Sequence, residues 1–339
     1  MRTAFGQEFD VPDGYLNTAS IGVPPVAVGE AVAGAVRDWR RGAVGAGDFD
    51  DPVARARAAF AALVGVGPER VAIGASASAL VGLVAASLPD GARVLVPAGE
   101  FTSTTWPFAA QAGRGVTVTE VELGELGERA AGFDLVATSV VQSADGRIAD
   151  VDALRAARAR GTRVMLDATQ SVGWLPADLG WADAVVASAY KWLLSPRGAA
   201  WMAVHPDLDL VPHLANWYAA DDPWARAYGL PMHLAPDARA LDTSPAWYCH
   251  VGAGVALPWL AGLDRAAVHA HCTGLADAFR AGLGMPPAGS AIVAVRRPDA
   301  AERLAAAGIA ASSRAGAARV SFHLYNTEAD VAAAVAALH

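Results

Sequence analysis

Apolar positions along the first two thirds of the chain form two alternating patterns. Short, nearly continuous apolar runs of strand length occur in RVAI (70–73), ARVLVPA (92–98), VTVTEVEL (116–123), FDLVATSVV (133–141), TRVMLDA (162–168), ADAVVASAY (182–190) and AAWMAVH (199–205). Between and before them lie stretches with helical spacing, at Pro25 to Arg41, Pro52 to Leu63, Ala77 to Leu88, Thr104 to Ala112 and 150–161. The Gly/Asp-rich RRGAVGAGDFDD (40–51) separates the first two helices and has the turn chemistry of a loop. Apolar runs without alternation belong to strands buried on both faces, and strands interleaved with helices predict a largely parallel sheet covered on both sides.

After about Ala235 the pattern changes. A Pro/Trp/Tyr-rich connection, DTSPAWYCH (242–250), leads to Ala-rich helical segments, two probable strands (SAIVAVR, 290–296, and ARVSFHL, 318–324) and a last helix from about Glu328. The expected organisation is an α/β protein. It has a large domain over 13–245, a smaller C-terminal α+β domain over 246–339, and an N-terminal segment, 1–12, that joins them. A chain of 339 residues is long enough for both.

Composition removes several function classes. The formal net charge is −8 and no arginine cluster exceeds a pair, which disfavours a nucleic-acid partner. Cys249 and Cys272 form no CxxC or Cys/His group, so neither a disulfide framework nor a zinc site is indicated. His269 and His271, two apart on a helix, face different directions and read as surface residues rather than metal ligands. The longest apolar stretches fall short of the ~20 residues of a membrane span. The start, MRTAFGQEFDVPDGYL, lacks the apolar core of a signal peptide. A cytoplasmic protein with reduced thiols is expected.

Of the 26 basic residues, 25 are arginine and one is lysine, Lys191. An isolated lysine is ordinarily a surface cation, but this chain meets that need with arginine everywhere else. Arginine stays protonated, whereas a partly desolvated lysine can lose its proton and attack a carbonyl to form a Schiff base. Lys191 follows an apolar strand, at the sheet edge where open α/β folds bind ligands. Asp167 ends the strand RVMLDA, 24 residues earlier. A carboxylate there can merely cap a turn, but it can also keep the ring nitrogen of pyridoxal phosphate protonated, so that the cofactor works as an electron sink. Farther upstream, the strand at 70–73 runs through the small-residue turn GASAS into a helix. There N–H groups and the helix dipole converge, as in a phosphate cradle.

D-x-x-Q-x-x-G at 167–173, followed by S-x-Y-K-x-L-x-x-P-x-G at 188–198, resembles the cofactor segment of the class V aminotransferase family. These are fold-type I enzymes dependent on pyridoxal phosphate (PLP), and they include cysteine desulfurases, kynureninases and isopenicillin-N-epimerase-like proteins. YLNTASIGVPP near the start and ARVSFHLYNTEADV near the end are similar to two further family motifs, so the resemblance spans nearly the whole chain.

The resemblance implies that Lys191 carries the cofactor as a Schiff base and that Asp167 pairs with its ring nitrogen. Gln170 and Gln142 would approach the ring's phenolic oxygen, and Phe101 would stack on the ring. The phosphate would sit on Ser76, Ala77 and Ser78, with hydroxyls from Ser188 and Tyr190. Ser244 would reach it from the neighbouring subunit of a homodimer. Arg319, or the competing Arg314, would grip the α-carboxylate of an amino-acid substrate, with Asn17, Thr18, Tyr218 and Trp247 as further lining residues.

The family's reactions share a first proton abstraction and then diverge into transamination, epimerisation or β-elimination. An aminotransferase is the leading expectation, with a C–S lyase or an epimerase as the alternative. Persulfide-forming desulfurase chemistry is disfavoured, because the stretch RAGAAR (314–319) carries no cysteine. A homologue that binds cofactor without turnover is the reading from another class, and the Lys191, Asp167, Gln170 and Arg319 set argues against it. No G-x-G-x-x-G opens a helix after the first strand, and Gly74-Ala-Ser-Ala-Ser78 lacks the second glycine of G-x-S-x-G.

Overall fold

The computed structural model describes residues 1–339. A hairpin of β1 (Arg2–Ala4) and β2 (Gln7–Phe9) precedes helices α1 (Val26–Arg40) and α2 (Asp50–Val64). Strands β3 (Val71–Gly74), β4 (Arg93–Pro97), β5 (Thr117–Val121), β6 (Leu135–Ser139), β7 (Arg163–Asp167), β8 (Ala184–Ser188) and β9 (Ala200–Val204) form one sheet in the order β3-β9-β8-β7-β6-β4-β5. Helices α3 (Ala77–Ser87), α4 (Thr102–Ala109), α5 (Leu126–Arg129) and α6 (Val151–Ala159) connect them. The sheet is mixed. The neighbours from β8 through β5 are parallel, while β9 runs antiparallel to both β8 and β3.

The unbroken apolar runs have a direct cause. Leu166, Val185, Ala187 and Trp201 pack on one face with α2 and α6, whereas Met165, Val186, Ala200 and Met202 pack on the other with α3. Successive side chains of a strand point to opposite faces, so a sheet covered twice needs apolar residues at every position.

The C-terminal part contains α7 (Trp247–Ala261), α8 (Arg265–Gly282), β10 (Ile292–Val295), α9 (Ala300–Ala306), β11 (Ser312–Arg314), β12 (Ala317–Ser321) and α10 (Glu328–Leu338). Its sheet, β10-β12-β11, is antiparallel and packs over a core of Leu275, Phe279, Val293, Val320 and Phe322. Packing crosses both expected boundaries. Helix α7 buries Ala253, Ala256 and Leu257 in the same core as α2, so packing is continuous across position 245. Residues past 12 also remain with the small unit: Leu16 N donates to Ala310 O at 3.0 Å and Leu16 O accepts from Ser321 N at 2.8 Å. Arg2 ties the hairpin to α10 through Asp330, at 2.6 Å.

His269 and His271 are half-buried rather than surface residues. His269 lies flat against Trp174 with ring centroids 5.9 Å apart, and His271 meets Phe5 edge-on at 5.4 Å, because α8 lies between the large body and the hairpin. Both cysteines are free, and no helix is long and apolar enough to cross a membrane.

Candidate active site

A cavity of about 120 Å³ opens at the ends of β7 and β8, beside the turn from β3 into α3. Lys191 reaches it from the segment after β8 and is only 6% exposed. Its Nζ lies 5.4 Å from the centre of the Phe101 ring and 5.6 Å from that of Tyr190. The backbone here is tightly held. Gly22 N donates to Tyr190 O at 2.9 Å, and a Cβ at Gly22 would come within 2.1 Å of Lys191 O, so the N-terminal stretch can lie on this segment only as glycine. Burial pushes the Lys191 ammonium down to about 8, against the pull of Asp167 and with help from the positive charges of Arg319, Arg314 and Arg197.

Asp167 is 4% exposed at the last position of β7. One oxygen accepts from Thr104 Oγ1 at 3.2 Å and the other from Thr169 N at 2.8 Å. At the opposite end of the cavity, Ser76 caps α3 by accepting from Ala79 N at 3.2 Å, and its hydroxyl lies 3.2 Å from that of Ser78. Ser188, at the end of β8, accepts from Ala77 N at 3.3 Å and donates its own N–H to Thr169 Oγ1 at 3.1 Å. Phe101 lines the cavity wall next to α4, with its N–H donating to Glu100 at 2.7 Å.

Gln170 also lines the cavity, and its amide has one possible orientation. The indole N–H of Trp192 can only donate, and does so to Gln170 Oε1 at 2.8 Å. Ala19 O can only accept, and does so from Nε2 at 3.0 Å. The amide's donor side therefore also faces Ser143 Oγ, at 3.3 Å. Gln142 is turned away, contrary to expectation. Residues 141–148 form a tight hairpin in which Gln142 N donates to Arg147 O at 2.8 Å, so adjacent side chains diverge. Gln142 Nε2 donates to buried Glu100 at 2.9 Å, and Ser143 takes the cavity position instead.

Arg319, in β12, is 1% exposed and meets only neutral oxygens: Ser143 O and Oγ, Ser20 Oγ at 2.7 Å and Ser312 Oγ at 3.2 Å. Burial, reinforced by Arg314, pushes its pKa down to about 10. Arg314 is exposed on the β11–β12 hairpin. Asn17 bridges to Ser321 with its Oδ1 buried and unpartnered, while Thr18 hydrogen-bonds the Tyr325 hydroxyl.

Besides Gln142, the expected residues Arg319, Arg314, Asn17 and Thr18 lie outside the cavity lining, and three more are engaged elsewhere. Tyr218 donates to Asp50 at 3.1 Å, Trp247 stacks on Phe49 with centroids 4.8 Å apart, and exposed Ser244 bonds Asn216 at 3.2 Å. Ser143, Thr104, Trp192, Glu100 and Arg197 are the residues that sequence reasoning missed. The adjacency of Trp192 to Lys191 and of Glu100 to Phe101 was the available signal.

Residues 40–298 match the Aminotransferase class-V family. The chain belongs to that family. It is 30% identical to the kynureninase of Deinococcus radiodurans over 80% of this chain and 72% of the relative. It is also 30% identical to the isopenicillin N epimerase of Streptomyces clavuligerus, over 48% of this chain and 46% of the epimerase, under half the length of that relative. Among solved structures, the cystine C–S lyase C-DES in complex with cysteine persulfide superposes with a TM-score of 0.86 at 18% identity, covering 97% of each chain. The Escherichia coli cysteine desulfurase CsdA gives 0.82 at 21% identity, covering 97% of this chain and 95% of that one.

Class V enzymes depend on PLP, and the cavity fits that group on its own chemistry. Lys191 and Arg197 line it and Arg319 abuts it through Ser143, yet Asp167 is the one carboxylate on its wall, leaving positive charge for an anionic ligand to neutralise.

Proposed function

We propose that this class V chain is a PLP-dependent aminotransferase of α-amino acids, with Lys191 as both carbonyl-capturing amine and proton carrier. The observation that carries the reading is the chain's single lysine, buried at the cavity wall with its pKa lowered to about 8. When bound, PLP supplies an electron sink for the electron pair left on the substrate Cα. Asp167, held by Thr104 and Thr169, would keep the proton on the ring nitrogen, and Phe101 offers a flat face to the ring. Ser76, Ser78 and Ser188 provide hydroxyls for the phosphate, and Gln170 offers amide donors to the ring oxygen.

Arg319 presents a planar fork that suits the substrate α-carboxylate, and anchoring it fixes which Cα bond faces Lys191. Lys191 then takes the Cα proton. No second lysine, histidine or free carboxylate lines the cavity, so one base returning the proton on one face of the substrate favours transamination. The second reading, a C–S lyase, is favoured by the hydroxyl of Tyr190, a proton donor for a leaving group beside Lys191. We place Ser244 at the partner's phosphate in a cytoplasmic homodimer, since its exposed hydroxyl serves no site within its own chain.

A mixture of one amino acid with a second 2-oxo acid tests the reaction. Transamination forms a new amino acid without ammonia. Release of ammonia with a 2-oxo acid supports elimination, and loss of optical rotation alone supports epimerisation.

A further inference from the structure

The geometry points to Arg197 as the cation that holds the cofactor's phosphate group. This assignment rests on the PLP reading above and adds a residue that the family motifs leave open. Ala200, the first residue of β9, pairs with Gly74 of β3 on one side and with Ser188 of β8 on the other. The segment just before β9 therefore lies over the turn into α3 and over the end of β8, and Arg197 lines the cavity there with Ser76, Ser78 and Ser188.

That end of the cavity otherwise offers a phosphate dianion only neutral hydroxyls and a helix terminus. Arg319 is held on the far side by Ser143, Ser20 and Ser312, and Lys191 is committed to the carbonyl. The Arg197 guanidinium makes no ion pair and lies 5.2 Å from the centre of the Tyr190 ring, a cation–π contact that orients the fork. Its backbone is pinned as well: Cys249 Sγ donates to Arg197 O at 3.0 Å, and a Cβ at Gly198 would come within 2.7 Å of that sulfur. A prepositioned, unpaired guanidinium suits bidentate contact with a phosphate.

The test compares two ligands that differ only in the phosphate. Cofactor-free full-length protein is titrated with pyridoxal phosphate and, separately, with pyridoxal, read by tryptophan quenching and by the visible band. Arg197→Met should weaken the phosphorylated ligand roughly ten- to a hundredfold, the worth of one charge-assisted contact. Its affinity for pyridoxal should stay within about twofold, and Arg197→Lys should fall between the variant and the parent. Equal losses for both ligands, or no loss for either, would overturn the role of Arg197 while leaving the cofactor reading intact. A parent protein that gives no visible band with pyridoxal phosphate would overturn the cofactor reading and this assignment together.

Discussion

Replacing Arg319 with methionine should separate substrate binding from stability, with opposite signs. The guanidinium is 1% exposed and faces only neutral oxygens. Burial lowers its pKa well below the usual guanidinium range, to about 10. A base whose pKa is lower in the folded chain costs stability wherever both states are protonated, so the charge is a burden at neutral pH. At about 1.4 kcal/mol per unit, the burden is roughly 3 kcal/mol. Methionine removes it and fills much of the same volume, at the expense of hydrogen bonds to three serine hydroxyls that can rotate to new partners and to one backbone carbonyl.

The net expectation is a cofactor-free Arg319→Met protein as stable as the parent or up to about 2 kcal/mol more so, in line with apolar replacements of buried ions. Urea denaturation followed by circular dichroism reads this directly. Binding should move the other way. Loss of a charge-assisted pair with the substrate carboxylate costs about 1.5–3 kcal/mol, or roughly a ten- to hundredfold fall in kcat/KM for the best amino acid of a panel. A variant destabilised by several kcal/mol would show that the guanidinium holds the fold together. Unchanged kcat/KM would show that it does not receive the carboxylate.

Lys191 should show its depressed pKa in two ways. Cofactor-free protein should capture a carbonyl ligand with a rate that rises through a midpoint near pH 8 rather than near 10.5, as stopped-flow absorbance across pH 6–10 would show. The folded chain releases this proton before the unfolded chain does, so stability should climb between pH 8 and 10.5 in the parent, and Lys191→Met should lose that climb; a parallel pH profile of the two proteins would contradict the shift. Trp192→Phe removes the donor that fixes the Gln170 amide while keeping most of the packing. It should leave KM nearly unchanged, lower kcat several-fold and displace the visible band of the loaded protein; an unchanged band would mean that Gln170 is oriented by Ala19 and Ser143 alone.

The sequence carried the sheet because burial on both faces writes itself into every strand position, as in Val164, Met165 and Leu166 pointing alternately to two cores. Lys191 and Asp167 were legible as a pair because their chemistry is rare and their spacing specific, and the fold brings both to one cavity. The sequence did not carry β11, whose Ser-Ser-Arg is polar and half-exposed and is defined by its pairing with β12. The exchange of Gln142 for Ser143 was equally hidden, since one residue of register in a tight hairpin reverses a side chain. Tyr218 misled because an aromatic residue in a loop shows no sign of its partner, here Asp50 on α2.

Borohydride reduction of the PLP-loaded protein followed by peptide mass spectrometry decides whether Lys191 is the residue that holds the cofactor. With a single lysine in the chain, the other primary amine available is the N-terminus. One reduced pyridoxyl group is expected, on the peptide containing Lys191, with a Lys191→Arg protein that stays folded but has neither the label nor the visible band. A label on the N-terminal amine, or a visible band that survives in Lys191→Arg, would contradict that role of Lys191.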